Sequence, residues 1–224
     1  MGKKYNEAAK LVDRTKFYTI DEGVALAQKT SISKFDGSIE LIIKFNLDTT
    51  KAEQQFRGNL VLPHYYGKKQ KVLVIDDAIT KAKADENGIE FFGGAEKIAD
   101  LKEGNINYDI IITTPKFMIE LSKLGKILGP KGLMPNPKLG TVTPDTLKAF
   151  KEFAKGKTPY RTDTYGNIHM LVGKVSSNPI DVSENVKFIV DYFSSKRPST
   201  VKGDFVQKIY ICSSMGPSVK ILVK

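Results

Sequence analysis

Side chains able to do covalent or acid–base chemistry are few in this chain, and none is spaced for it. The two histidines, His64 and His169, stand apart from each other and from the one cysteine, Cys212, and neither belongs to a nucleophile–base–acid set. Cys212 lies in KIYICSS, a strand-like context that predicts a buried, reduced thiol, and a single cysteine can make neither an intrachain disulfide nor a zinc cluster. Gly93-Gly94 falls between an expected strand and an expected helix, superficially a phosphate-binding turn, but lacks GxGxxG spacing; GPKG at 129–132 lacks the GxxxxGK[ST] form. Asp76-Asp77 ends an expected strand, where metal-binding carboxylates often sit, yet neighbours on a strand point apart and Asp77 is expected to cap the following helix. The residues therefore predict a protein that is not an enzyme and has neither cofactor nor metal.

Binding chemistry is better supplied. The stretch 123–141, KLGKILGPKGLMPNPKLGT, carries Lys123, Lys126, Lys131 and Lys138 and no acid. Pro130, Pro135 and Pro137 fix φ and withhold donors, so no ordinary helix or central strand runs through them. Leu124, Ile127, Leu128, Leu133, Met134 and Leu139 give the stretch something to bury, which predicts a rigid irregular loop. The chain has 35 Lys and Arg against 25 Asp and Glu, a net charge of +10, which points to an anionic partner, nucleic acid before a membrane surface. Residues 68–155 hold +3 of this and the two flanks +7, so the flanks are the expected polyanion contact.

The positioning elements follow from periodicity. At 224 residues the chain can be one large domain or two small ones. Tyr5, Ala8, Ala9 and Val12 share a helical face, and Thr19 with Glu22 forms a capping box that opens a second helix. Residues 38–48 alternate as a strand with one buried face, and a further strand is expected at 58–62. From 71 the pattern changes to short apolar strands (71–75, 90–92, 109–113) alternating with helices (77–84, 96–101, and through Met118, Leu121 and Leu124), which is the signature of parallel βαβ units. A helix over 143–154, with Pro144 in its first turn, closes this part. After Gly156 come strands at 167–175, 205–212 and 219–223, and a helix capped by Ser183.

This reads as a discontinuous α+β domain, residues 1–67 plus 157–224, with an inserted Rossmann-like α/β parallel-sheet domain at 68–156 and a paired hinge near Gly67 and Gly156. In the flank domain, Lys34, Phe35, Ser38 and Glu40 cluster at the start of the first strand. Lys208 and Ser214 share the polar face of a late strand, which ends in SSMGPS with Met215 beside Gly216. Arg161, Asp163, Thr164 and Lys174 bracket another strand. Cations suit phosphates, small polar groups suit 2′-hydroxyls and base edges, and an apolar tip can pack on an unstacked base. The plainer alternative makes SSMGPS only a turn and Phe35 only core.

The stretch 123–141, together with SSMGPSVKI at 213–221, KFDGSIEL at 34–41, VLPHYYGK at 61–68 and NIHMLVGK at 167–174, resembles the bacterial ribosomal protein L-one family, which sits on the mobile stalk beside the tRNA exit site. The resemblance implies that the discontinuous domain binds folded stalk rRNA of the large subunit through Lys34, Phe35, Ser38, Glu40, Ser214, Met215 and Gly216. Asp163, Thr164 and Lys208 follow the family pattern less closely, and the family often has threonines where Ser213 and Ser214 stand. It implies further that the insert reaches the exiting tRNA or contacts RNA secondarily, assisting release of deacylated tRNA, and that the free protein, a monomer, represses its own operon by binding its mRNA. The competing readings are a nucleotide-binding α/β enzyme and a generic RNA chaperone. No apolar run nears the ~20 residues of a membrane span, and MGKKYNEAAK is no secretion signal, so a soluble cytoplasmic protein of the large subunit is expected.

Overall fold

The computed structural model describes residues 2–51, 54–67, 71–104, 106–198, 201 and 203–222. The described chain divides into two compact units: Met1–Arg57, Leu62–Tyr66 and Tyr160–Lys224 form one, and Gly58–Val61 and Gly67–Pro159 the other. Residue 68, the expected start of the insert, lies outside the described residues.

The first unit is built on a four-stranded antiparallel sheet in the order β7-β1-β8-β9. The strands are β1 (Ser38–Phe45), β7 (Asn167–Lys174), β8 (Val206–Ser213) and β9 (Val219–Ile221). Strict alternation in β1 buries Ile39, Leu41, Ile43 and Phe45 on one face. Two helices, α2 (Ile20–Lys29) and α8 (Pro179–Ser195), pack on each other and on this face through Val24, Ala27, Val182, Val186, Ile189 and Phe193. Each of the valines, Ile189 and Phe193, removed from water, contributes roughly 1.5–3 kcal/mol, and Ala27 about 0.8 kcal/mol. The helices approach closely because glycine leaves room. A Cβ at Gly23 would lie 2.1 Å from Ile221 Cδ1, and one at Gly173 2.6 Å from Val182 Cγ2. At the end of β1, Phe45 packs at a tilt on Phe205 at 4.8 Å and meets Phe193 edge-on at 5.4 Å, closing one end of the core. α2 opens with the expected capping box, Thr19 Oγ1 accepting from Glu22 N and Glu22 Oε2 from Thr19 N. α1 (Lys3–Lys10) precedes it.

The second unit holds a three-stranded parallel sheet, β4-β3-β5, from β3 (Val72–Ile75), β4 (Phe91–Gly93) and β5 (Ile110–Thr113). β3 is buried throughout, as a strand covered on both faces must be. One cluster packs Ile98, Leu101, Phe117, Leu121 and Leu128 on Leu73, Ile75 and Ile111, from α4 (Ala95–Lys102), α5 (Pro115–Ser122) and α6 (Gly125–Leu128). The other packs Ala84 of α3 (Lys81–Asn87) and Ala149, Phe150 and Phe153 of α7 (Thr146–Ala154) on Val72, Val74 and Ile112. No helix among the described residues is long and apolar enough to cross a membrane.

Several elements differ from expectation for identifiable reasons. α3 starts at Lys81 rather than 77, because Asp76 Oδ1 accepts from Ala78 N and holds a turn there, so Asp77 caps nothing. α7 is capped by Asp145, whose side chain accepts from Lys148 N, which leaves Pro144 outside the helix. Asn178 caps α8 with Pro179 in its first turn, and Ser183 lies buried inside the helix. β6 (Lys157–Arg161) was not expected, since KTPYR has no alternation and a central proline; it pairs with β2 (Arg57–Val61), and Pro is tolerated in such a two-stranded ladder. The last strand, expected over 219–223, is β9; residue 223 lies outside the described residues.

Candidate nucleic-acid interface

The antiparallel register sorts the uncovered face of the four-stranded sheet into rows. Ser38 lies opposite Lys174, and its carbonyl accepts from Ser214 N; Glu40 lies opposite Leu171 and Cys212; Ile42 opposite His169 and Tyr210; Lys44 opposite Asn167 and Lys208. Helices cover the other face, so these side chains are what the sheet presents.

Three loops meet at the Ser38 end. Ser214 N donates to Ser38 O at 2.9 Å, Ser38 N donates to Ser214 Oγ at 3.0 Å, and that hydroxyl donates back to Ser38 O at 3.3 Å. Lys174 Nζ donates to Ser38 Oγ at 2.8 Å. Val175 N donates to Gly37 O, while Ser176 donates through its N–H and hydroxyl to Asp36. The loops before β1, after β7 and after β8 are thus knotted into one surface. The Ser214 hydroxyl, expected to face a ligand, is instead consumed in holding the junction.

Two apolar side chains stand out of this surface. Phe35 is 66% exposed and Met215 75% exposed, so Phe35 is not core. Met215 has φ +65°, and no other described non-glycine residue has positive φ. It is the third residue of a turn closed by Gly216 N donating to Ser213 O at 2.9 Å, a position where glycine or asparagine is ordinarily found. A left-handed residue with a bulky side chain costs about 1–2 kcal/mol, and such outliers gather at functional sites. A larger residue at 216 is disfavoured: a Cβ would lie 2.3 Å from Ser213 Oγ and 3.3 Å from the carbonyl oxygens of Ser213 and Thr30. Lys34 is exposed beside Phe35. Glu40 Oε1 sits 3.1 Å from His169 Nδ1 on the open face. Burial first, and the Glu40 carboxylate second, push the Cys212 thiol up to about 11.

The sequence singled out Lys208, Arg161, Asp163 and Thr164 with this set, but the structure places them at the other end of the sheet. Lys208 is opposite Lys44, six residues along β1 from Ser38 and so roughly 20 Å away. Arg161 and Thr164 line an open depression of about 480 Å3 with Thr49, Gln55, Thr162 and Asp163. Asp163 is spoken for: its carboxylate accepts from Tyr165 N (2.8 Å), Asn167 N (2.7 Å) and Asn167 Nδ2 (2.7 Å). Partial burial raises its pKa, but these bonds and the nearby His169 outweigh it and hold the carboxyl below its ordinary range. Lys44 and Tyr165, which the sequence reading left out, belong to this end; strand register brings in Lys44, and Tyr165 stands in the same turn as Asp163 and Thr164.

In the parallel-sheet unit Lys123, Lys126, Lys131 and Lys138 are all exposed, and none has a carboxylate partner among the described residues. Their stretch is firmly built: Leu124, Leu128 and Leu133 are buried, Asn136 and Thr141 exchange hydrogen bonds, and Asn59 Nδ2 donates to Leu139 O. Part of it, α6, is a single helical turn rather than irregular loop, since the first proline comes only at Pro130. The glycine pair offers no phosphate site. Gly94 N donates to Glu96 Oε1, which lowers that carboxyl's pKa, and a Cβ at Gly93 would already meet Glu96 and Lys97 at 2.6 Å. Asp76 and Asp77 take different partners, Thr146 Oγ1 at 2.7 Å and Lys116 Nζ at 2.6 Å.

The family model described as the Ribosomal protein L1p/L10e family matches residues 27–217. The "Large ribosomal subunit protein uL1" of Mycoplasmoides gallisepticum is 50% identical over 223 residues, covering 100% of this chain and 98% of that protein. The protein of the same description from Ureaplasma urealyticum is 49% identical, covering 100% and 97%. That of Malacoplasma penetrans is 51% identical over 94% of this chain and 63% of its own length.

Proposed function

The chain belongs to the Ribosomal protein L1p/L10e family, and from that premise we propose that it is a non-enzymatic, cytoplasmic constituent of the large ribosomal subunit whose N- and C-terminal segments together anchor it to stalk rRNA. The observation that carries the reading is the junction of Ser38, Lys174 and Ser214, which presents exposed Phe35 and strained Met215 beside Lys34 at one end of the sheet face opposite α2 and α8. Cations meet phosphates there, the Ser38 hydroxyl and Glu40 meet 2′-hydroxyls or base edges, and the two apolar tips pack on unstacked bases or sugars. Gly216 keeps the turn backbone accessible to the RNA.

The lysines of 123–141 serve a second RNA, the exiting deacylated tRNA, and the free protein represses its own operon by binding an mRNA that imitates the rRNA site. Tighter rRNA binding makes this a feedback switch, because repression begins only once rRNA is saturated. The test compares a stalk rRNA fragment, a scrambled RNA of equal length and free nucleotides over a range of salt. A strong preference for the first, reduced by Phe35→Ala and Met215→Asp, supports the reading; equal affinity for both RNAs favours a chaperone, and saturable nucleotide binding an enzyme. Replacing Lys123, Lys126, Lys131 and Lys138 by Gln weakens tRNA contact and spares the stalk fragment; undiminished tRNA contact defeats that second role.

A further inference from the structure

At the end of the open sheet face away from Met215, one aromatic ring is held out into solvent on a turn that has no freedom of its own. Tyr165 is 75% exposed. Its backbone neighbourhood is fixed on every side: its N–H and that of Asn167 donate to Asp163, Lys44 Nζ donates to its carbonyl, Thr49 Oγ1 donates to Thr164 O at 2.6 Å, and Phe45 N donates to Gly166 O at 2.9 Å. A ring presented this way loses little backbone freedom when something covers it. The Lys44 bond also places the turn on the uncovered side, because Lys44 occupies an open-face position of β1.

The surroundings specify what covers it. Lys44 and Lys208 face each other across β1 and β8, and Arg161, exposed and without a partner among the described residues, rims the adjoining depression of about 480 Å3. The acid of the turn itself, Asp163, has its carboxylate satisfied inside the turn. An exposed aromatic ring among three cations suits a nucleotide whose base stacks while its phosphates lie on the basic groups.

We infer that Tyr165 is a stacking platform for one unpaired RNA base, with Lys44, Lys208 and Arg161 receiving the adjacent phosphates, so that RNA anchored at Met215 runs some 20 Å along the open face to a second grip. This deepens the reading that the unit binds stalk rRNA and rests on it. It also explains why Arg161, Thr164 and Lys208 lie so far from the first cluster.

The chain contains no tryptophan, so Tyr165→Trp introduces a single fluorescent reporter at the platform. Three forms of the full chain are titrated with a stalk rRNA fragment: wild type, Tyr165→Trp and Tyr165→Ala. The indole emission is expected to be quenched at the same RNA concentrations that saturate binding, Tyr165→Trp to bind as tightly as wild type, and Tyr165→Ala about tenfold more weakly with unchanged thermal unfolding. Full wild-type affinity in Tyr165→Ala, or an indole that stays unquenched in the complex, overturns the inference while leaving the Met215 site standing. So does an indole that responds to anionic phospholipid vesicles and not to RNA. Failure of wild type to prefer the fragment over scrambled RNA overturns both.

Discussion

Replacing Met215 by glycine should separate the fold's needs from the ligand's. In the free protein the side chain is three-quarters exposed and the backbone sits at φ +65°. Glycine relieves about 1–2 kcal/mol of left-handed strain, while its greater freedom in the unfolded chain costs about 0.5–1 kcal/mol. Loss of the buried quarter of the side chain removes roughly another 0.5 kcal/mol. These nearly cancel, so Met215→Gly should leave stability within about 1 kcal/mol of wild type, a midpoint shift of no more than about 2–4 °C for a chain of this size. Covering the exposed remainder of the methionine on RNA contributes about 1–2 kcal/mol, so affinity for a stalk rRNA fragment should fall roughly 5- to 30-fold. Met215→Ala retains the strain and loses the tip, and should bind as poorly as glycine while being the less stable of the two. Thermal unfolding and equilibrium titration of the three forms decide it. A glycine variant destabilised by more than about 2 kcal/mol would show the side chain to be holding the turn, and one that binds normally would leave the strain without a function.

Ser213 offers a stability test nearby. Its Oγ is buried without a hydrogen-bond partner among the described residues, so Ser213→Ala should stabilise by about 1 kcal/mol in denaturant titrations; a loss of that size would reveal a partner for the hydroxyl. The same oxygen is what a Cβ at position 216 strikes, so Gly216→Ala should cost about 1–3 kcal/mol alone and visibly less in the Ser213→Ala background, whereas strict additivity would refute the clash. Asp163 has a folded pKa below its unfolded value, so its contribution is complete above the ordinary carboxylate range and is lost as pH falls through the lowered value. Amide exchange at Tyr165 and Asn167 should accordingly accelerate on acidification beyond its intrinsic pH trend in wild type but not in Asp163→Ala, where the bonds are already gone. With its thiol pushed up from 9.0 to about 11, Cys212 should be alkylated at pH 8 about a hundredfold more slowly than a small free thiol, and Cys212→Ala should keep the preference for stalk RNA; labelling at the free-thiol rate would refute the burial argument.

Local chemistry was legible in the sequence where a few neighbouring residues decide it. Thr19 and Glu22 announce a helix start because both bonds of the box span three residues, and the alternation of β1 shows which side chains are buried. Where two local signals compete, the sequence misled. Ser183 resembles a cap, but Asn178 followed by Pro179 is the stronger start, and Asp76 takes the amide that a helix from 77 would have needed free. β6 gave no signal because a proline-bearing strand identifies itself only through its partner. Members of the candidate site could be nominated by residue type and not by place. Lys34, Phe35, Ser214 and Met215 could be nominated from their chemistry, but that Ser38 bonds Ser214 while Lys208 lies six residues off is a matter of register between segments about 170 residues apart. The same ignorance hid Lys44.

A sheet with one face open carries a hazard at its edges, and both are closed here by groups that leave the face clear. Along β9, Tyr18 pairs as a one-residue parallel bridge, its N–H donating to Lys220 O at 3.0 Å and its carbonyl accepting from Leu222 N at 2.9 Å. Along β7 the cover is a patchwork. Thr162 bridges Ile168, Tyr66 donates its hydroxyl to Leu171 O, and the buried Asn185 amide donates to Val172 O at 2.9 Å. Asn185 also exchanges two bonds with the His64 backbone, so all its hydrogen-bonding groups are used. Unpaired edges recruit other chains, and a basic protein with an open apolar row would be prone to that before it met RNA. Sealing the edges with single residues and side chains instead of further strands keeps Lys174, Ile42, Tyr210 and Lys44 uncovered. Only a ligand that approaches the face broadside, and not one that adds a strand, can then use the backbone order already built into it.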